Sequence, residues 1–445
     1  MTGRGAVPGP VGRPCAVPAC TDGIREVPEG FCAELFSSLR RKDQRLRARQ
    51  YLHGLLAAQG RKSIRNVAAV TGDPAAAQSL HHFIADSTWD WRPIRAALAA
   101  WAEKTELARA LVVHPMAIPR TGKQSVGVDE MFDPRRRRTF QGQLAYGVWL
   151  ASPELTVPVN WLLFLPGEGA PGTGEPSPDA AGSTPQGWAA TAALTTPRDA
   201  GVRGRPVVMN VPGGATRATL ARFTRDATPV LAQAALATRL AVADRCMPGY
   251  RRGSFSAQVI LEAARSVRQP VRHTAPGGAR PAARSLAAAV PVRLAEEAVA
   301  GARRLLVGEW DDPDRPPERL WLTDMVDTPL QRLVEYADLA RCVDREAAWA
   351  VEAVGLRDFS GRSLAGWHRH VTLASAAYTA AWLGFGPLCA SRPGGLTCPA
   401  RGLRADGPAP APPAPPAAGG EAPAPRSGTP AISPQRPRPD WMIDP

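Results

Sequence analysis

The side chains able to do chemistry are unevenly spread, and the densest group is cationic. Arg40, Arg41, Lys42, Arg45, Arg47, Arg49, Arg61, Lys62 and Arg65 fall within 26 residues that hold one acid, Asp43. The segment Gly60-Arg-Lys-Ser-Ile-Arg opens a helical pattern, so backbone amides, a hydroxyl and three cations could meet phosphates together. A second run, Arg135, Arg136, Arg137 and Arg138, follows Asp133-Pro134. It reads either as a solvated turn or as a loop contacting a phosphate backbone. Other candidates are weaker. His368 and His370 are two apart and fall on different faces of a helix, which argues against a shared metal, and the adjacent His81 and His82 are equally poor as a pair. Gly213-Gly214 is not followed by the Gly-Lys-Ser/Thr of a phosphate loop. The seven cysteines include no Cys-x-x-Cys, so neither a disulfide framework nor a zinc ribbon is expected.

The elements that must position these residues follow from periodicity. Phe31, Leu35, Leu39 and Leu46, and later Trp89, Trp91, Ile94, Leu98 and Trp101, recur at helical spacing, which predicts a small all-α domain over residues 29–108. From Leu111 the pattern turns to short apolar runs (111–113, 125–128, 144–150, 157–165 and 206–209), read as strands of one sheet. Helices are expected near 216–226, 291–302, 329–341, 345–354 and 366–382. This predicts an α/β unit over 109–385, interrupted by Pro/Gly-rich insertions near 167–186 and 268–283. Residues 1–28 read as a flexible arm and 386–445 as a Pro/Ala-rich disordered tail. Among 445 residues the net charge is +14, which points to a polyanionic partner. The 50 arginines against four lysines, together with 46 prolines, also suggest a coding bias, so the clustering of charge carries more than its total. No apolar run reaches the ~18 residues of a membrane span, and no secretory signal is apparent at the N-terminus. The expected location is the cytoplasm.

Four stretches together resemble the DDE-type transposases of bacterial insertion sequences, in particular the insertion-sequence-701 group. The first comprises Phe36-Ser-Ser-Leu-Arg-Arg, Tyr51-Leu-His-Gly-Leu-Leu, Gly60-Arg-Lys-Ser-Ile-Arg-Asn-Val-Ala and Gln78-Ser-Leu-His-His-Phe-Ile-Ala-Asp-Ser-Thr-Trp-Asp-Trp. The others are Ile118-Pro-Arg-Thr-Gly-Lys-Gln-Ser-Val-Gly-Val with Val159-Asn-Trp-Leu-Leu-Phe-Leu-Pro, then Leu320-Trp-Leu-Thr-Asp with Asp327-Thr-Pro-Leu, and finally Val354-Gly-Leu-Arg-Asp-Phe with Gly366-Trp-His-Arg-His-Val-Thr-Leu-Ala. The resemblance implies an RNase H-like mixed sheet flanked by helices, preceded by the all-α domain. It also implies duplex DNA as partner, nucleoid association, and three carboxylates holding two Mg²⁺ or Mn²⁺ ions. A homodimer is left open.

At the matching positions this chain departs from the family. His114 stands where the first aspartate is expected, Asn210 where the second is, and Asp344 where a glutamate is; a lysine expected two turns later is Val351. One carboxylate beside Arg345 does not suit two divalent ions, so the expectation is a degenerate triad, at most a weak metal ligand at Asp344, and no cofactor in this chain. The DNA contacts are expected from Arg40, Arg41, Lys42, Arg61, Lys62, Arg65 and Arg135 to Arg138. The alternative is an active transposase that cleaves and joins DNA with a metal held by relocated acids, for which Asp129, Glu130 and Asp133 are the candidates.

Overall fold

Five helices precede the first strand in the computed structural model, which describes residues 29–73, 75–105, 108–133, 138–169, 184–273, 284–295, 302–317 and 319–385. The expected arm and tail, Arg135, Arg136 and Arg137, and most of both expected insertions lie outside the described residues. The helices are α1 (Glu29–Leu35), α2 (Lys42–Ala57), α3 (Ile64–Ala69), α4 (Ala76–Ala85) and α5 (Arg92–Glu103). Phe31, Leu35, Leu39, Ile94 and Leu98 are buried as their spacing predicts. Leu46 is not: it is 53% exposed, because α2 begins a new axis at Lys42 and turns Ala48, Tyr51, Leu52 and Leu55 inward instead.

Twelve strands among the described residues form one mixed sheet flanked by helices. The first six are β1 (Ala110–Pro119), β2 (Asp129–Asp133), β3 (Arg138–Ala151), β4 (Thr156–Leu163), β5 (Val207–Met209) and β6 (Val230–Ala234). Strand β3 runs antiparallel to β1, and its other edge takes β2 along its first half and β4 along its second. Strands β5 and β6 then add parallel to β1. The parallel additions need crossovers, supplied by α6 (Pro185–Ala200) and α7 (Arg217–Arg225). Each starts at a threonine whose hydroxyl accepts a backbone N–H, Thr184 from Gly187 and Thr216 from Thr219. Opposite His114 in the β1–β3 pair sits Gly147, where a Cβ would come within 2.8 Å of the Trp161 ring.

Beyond β6 the sheet continues further than the periodicity suggests. Strands β7 (Arg239–Val242), β8 (Ser254–Ser256), β9 (Gln269–Arg272), β10 (Arg284–Leu294), β11 (Arg304–Trp310) and β12 (Arg319–Thr323) extend it, in the order β6-β12-β11-β10-β7-β8, with β9 beside β10. A short helix, α8 (Ala257–Ala263), follows β8. Of the helix expected over 291–302, residues 291–294 are instead the end of β10, where Val290, Val292 and Leu294 alternate inward with a period of two, and 296–301 lie outside the described residues. Residues 125–128, expected as a strand, form a turn before β2. Two helices close the fold: α9 (Leu330–Ala353), a single helix where two shorter ones were expected, and α10 (Leu364–Phe385).

The N-terminal helices and the sheet share one buried core. Buried Arg95 of α5 joins them, its guanidinium donating to Thr372 of α10 at 2.8 Å and to Asn160 of β4 at 2.9 Å. A second tie is His370 of α10, whose Nε2 donates to the Gly355 carbonyl at 2.9 Å while its Nδ1 accepts from the Tyr51 hydroxyl of α2 at 2.8 Å. Complete burial pushes the His370 pKa down to about 4, against the hydrogen bond to the Gly355 carbonyl, which favours the protonated ring. The sign follows. Below pH ~6.5 the unfolded chain gains a proton that the folded one refuses until about pH 4, so stability falls with pH across that window. The expected loss between pH 7 and 4 from this residue is about 3 kcal/mol. Urea unfolding of the parent and of His370→Gln at both pH values checks it; equal pH dependence in the two proteins contradicts the assignment.

Candidate functional site

Strand β1, the end of β5 and helix α9 bring three distant residues to one point. Helix α9 crosses β1 and β5, and so lays Asp344 over the two parallel strands that carry His114 and lead into Asn210. The Asp344 Oδ1 accepts from Asn210 Nδ2 at 2.8 Å and lies 3.1 Å from His114 Nδ1, which therefore carries the ring proton. Its Oδ2 accepts from Arg319 Nη2 of β12 at 3.3 Å. All are sheltered: the His114 side chain is 11% exposed and that of Asp344 22%. His114, Asn210 and Asp344, separated by up to 230 residues, are thus brought together.

The chemistry of the cluster is that of a satisfied carboxylate. An amide, an imidazole N–H and a guanidinium all present hydrogen to one acid, and Arg319 balances its charge. Arg319 had no signal in the sequence pattern. It reaches the site because β12 pairs antiparallel with β6, which puts the start of β12 beneath α9.

The other expected residues fall elsewhere. Asp129 and Glu130 are exposed on the short edge strand β2, where Asp129 faces Gly142 of β3. Gly142 is five residues along β3 from Gly147, the partner of His114, or about 17 Å at strand rise. Arg40, Arg41, Lys42, Arg61 and Arg65 are exposed, as is Arg138 at the start of β3, opposite Asp133. Lys62 is a correction: it is 5% exposed, its ammonium donates inward to the Ala58 carbonyl, and its backbone N–H donates to Asp358 Oδ2 at 2.6 Å. His368 and His370 are both buried and face separate partners, His368 stacking on Trp91 with ring centroids 4.6 Å apart. His81 and His82 are exposed beside Asp86.

A second charged cluster escaped the sequence reading. His273, Glu309 and Asp338 each offer a ligand atom, all within 4.8 Å of one another. Arg341 of α9 bridges them, donating to Asp338 and, at 2.6 Å, to Glu309 Oε2. His273 turns Nδ1 to Asp338 at 2.9 Å and Nε2 to the Ser285 hydroxyl, and the hydrogen bond to Asp338 raises its pKa. Burial raises that of Glu309. Asp338 and Arg341 come from α9, Glu309 from β11, Ser285 from β10 and His273 from just after β9, so local spacing alone could not have revealed the group.

Residues 34–305, more than half of the chain, match the family described as DDE superfamily endonuclease. The chain belongs to that family. No curated protein shows a significant match. Membership points to transposase-like DNA cleavage and a DNA substrate, and such nucleases ordinarily use Mg²⁺ or Mn²⁺. The twelve-stranded mixed sheet with flanking helices is consistent with a DDE nuclease fold. Among the described residues no helix is long and apolar enough to cross a membrane.

The donor arrangement gives a discriminating test. Where acids repel one another around an absent ion, neutralising one stabilises the protein; where a lone carboxylate is ringed by donors, neutralising it strands them. Asp344→Asn is therefore expected to destabilise the fold by about 1–3 kcal/mol in urea unfolding. A more stable variant would contradict the reading of a satisfied carboxylate.

Proposed function

We propose that this DDE superfamily endonuclease is a transposase-like DNA-binding protein of the insertion-sequence-701 group whose catalytic metal centre is degenerate. The carrying observation is the ring of N–H donors around Asp344. In this reading His114, Asn210 and Asp344 occupy the three metal-ligand positions of an RNase H-like domain. The strand sequence supports that fold: three antiparallel strands, β1, β3 and β4, followed by β5 and β6 added parallel on the other side of β1. The residues present do not fit two divalent ions. Asp344 and Arg319 sum to zero charge, the amide and the imidazole proton of the other two positions point at the same oxygen, and a two-ion centre needs several carboxylate oxygens. No cleavage step is therefore derived for this chain. Its role is binding, as a transposase relic or a domesticated DNA-binding protein, with helices α1–α5 as the DNA-binding domain. Exposure of Asp129 and Glu130 on an edge strand gives the relocated-acid alternative no support.

Six exposed cations, Arg40, Arg41, Lys42, Arg61, Arg65 and Arg138, supply the contacts in this reading. If all six neutralise phosphates, log K for duplex DNA falls with log salt at a slope at least as steep as about −5. Replacing Arg61 and Arg65 by Ala is expected to make it shallower by about 2 units. Fluorescence anisotropy across a salt series measures both, and salt-independent or undetectable binding sinks the DNA-binding assignment.

The metal assignment has its own test. The parent is expected to show no saturable Mn²⁺ binding by calorimetry and no nicking of plasmid DNA. His114→Asp with Asn210→Asp gathers three carboxylates, but Arg319 still competes for Asp344; Mn²⁺ binding is expected only when Arg319→Gln is added. Metal-dependent nicking by the unaltered protein would overturn the degenerate reading.

A further inference from the structure

Three loops from distant parts of the chain meet beyond the end of β1. Residues 119–126 are stitched to the loop before α10 by Val126 N–H donating to the Arg362 carbonyl at 3.2 Å and by the Ser125 hydroxyl donating to the Gly361 carbonyl at 3.3 Å. Residues 58–65 join the same loop through the Lys62 N–H bond to Asp358, with Gly355, at φ 65°, packed so closely on the Lys62 stem that a side chain there would collide with it. Residues 58–65, 119–126 and 355–363 hold seven basic residues and one acid, Asp358. That acid is already engaged by the Lys62 N–H, Lys62 turns inward, and Arg357 pairs with Glu352 at 3.3 Å. Arg61, Lys123 and Arg362 are exposed, and among the described residues no carboxylate pairs with them or with Arg120.

Arg120 is the fixed member of the group. Its Nε donates to Gln143 Oε1 at 2.9 Å, and Gln143, 1% exposed on β3, is itself held by donating Nε2 to the Val126 carbonyl at 2.6 Å. A guanidinium pinned at Nε by a buried, locked amide leaves its two Nη groups aimed in a set direction at little further entropic cost. The charge of Arg61 bears on it as well: burial first, and then that like charge, lower the Arg120 pKa against the opposing pull of Asp358. With seven basic residues to the one carboxylate of Asp358, the junction carries an excess of positive charge that a bound anion relieves.

We infer that the junction of these three loops is a phosphate-backbone contact for duplex DNA, built on Arg120 with Arg61, Lys123 and Arg362. It rests on the DNA-binding reading above and extends it from the N-terminal helices onto the sheet. Exposed cations spread over separate loops suit an extended polyanion, whose charges are themselves spread along its length. From His114 to Arg120 is six residues of strand, about 20 Å, the length of roughly six base-pair steps. A duplex seated on the junction and lying along β1 therefore reaches the Asp344 cluster.

The test uses the full chain and a duplex oligonucleotide. The triple variant Arg120→Gln, Lys123→Gln, Arg362→Gln is expected to make the salt slope shallower by about 3 units, with an unchanged melting temperature as the check on folding. Gln143→Leu, which releases Arg120 without removing any charge, is expected to weaken binding several-fold while leaving the slope nearly unaltered. Should the parent bind DNA steeply with salt and the triple variant bind identically, this inference fails and the DNA-binding reading stands; should the parent not bind at all, both fall. If the triple variant melts lower than the parent, the single variants Lys123→Gln and Arg362→Gln, both at exposed positions, decide the matter by a slope change of about 1 unit each.

Discussion

A carboxylate sheltered under a helix must be answered by positive charge or by hydrogen-bond donors, and the way Asp344 is answered organises the middle of this protein. Helix α9 brings the acid onto β1 and β5, and the three groups awaiting it all donate hydrogen. The attraction is local and complete. Helix α9 repeats the same solution nearer its start, where Asp338 is met by Arg341 and His273. One helix is thus clamped to the sheet twice by opposite charges, at sites six residues apart.

The two clusters draw on neighbouring strands, β11 and β12. Glu309 and Arg319 are direct partners in that antiparallel pair, so their side chains emerge on the same face. Glu309 Oε2 accepts from Arg341 and Arg319 Nη2 donates to Asp344, while among the described residues Glu309 Oε1 and Arg319 Nη1 are buried without hydrogen-bond partners. Two such groups side by side carry a desolvation cost that a bridging water, or a small rotation of either side chain, would relieve. The strands added beyond β6 consequently do more than enlarge the sheet. They deliver the cation that neutralises Asp344.

What could be read from the sequence follows the range of the interactions involved. The family resemblance singled out His114, Asn210 and Asp344 by their places relative to its motifs, and the fold brings the three together. Helical spacing made α5, α7 and α10 legible, whereas α6 and α8, each opened by a capping hydroxyl, were not expected. Three further features were hidden. β10 was hidden by its alanines, which satisfy a helical pattern as easily as an extended one, although Val290, Val292 and Leu294 carry the period of two. Lys62 looks like any member of a basic run until Asp358 and the Ala58 carbonyl, one of them 296 residues away, draw it inward. Arg319 and the His273 cluster depend on cross-strand register, which a single sequence encodes only weakly.

A balanced site also changes what holds the fold together. Two carboxylates about 4 Å apart repel by roughly 1 kcal/mol in water and up to ~4 at the effective dielectric of a protein surface, so a triad of acids strains its own scaffold until metal binds. In the proposed reading, His114 and Asn210 at two of the positions remove that repulsion, and hydrogen bonds replace it. The scaffold then has no need of an ion to bring β1, β5 and α9 together. In the proposed reading this explains why the architecture persists where the chemistry does not: the contacts that once had to be completed by a cation are completed by the chain, and the basic loops at the end of β1 keep their claim on a phosphate backbone independently of whether anything is cut.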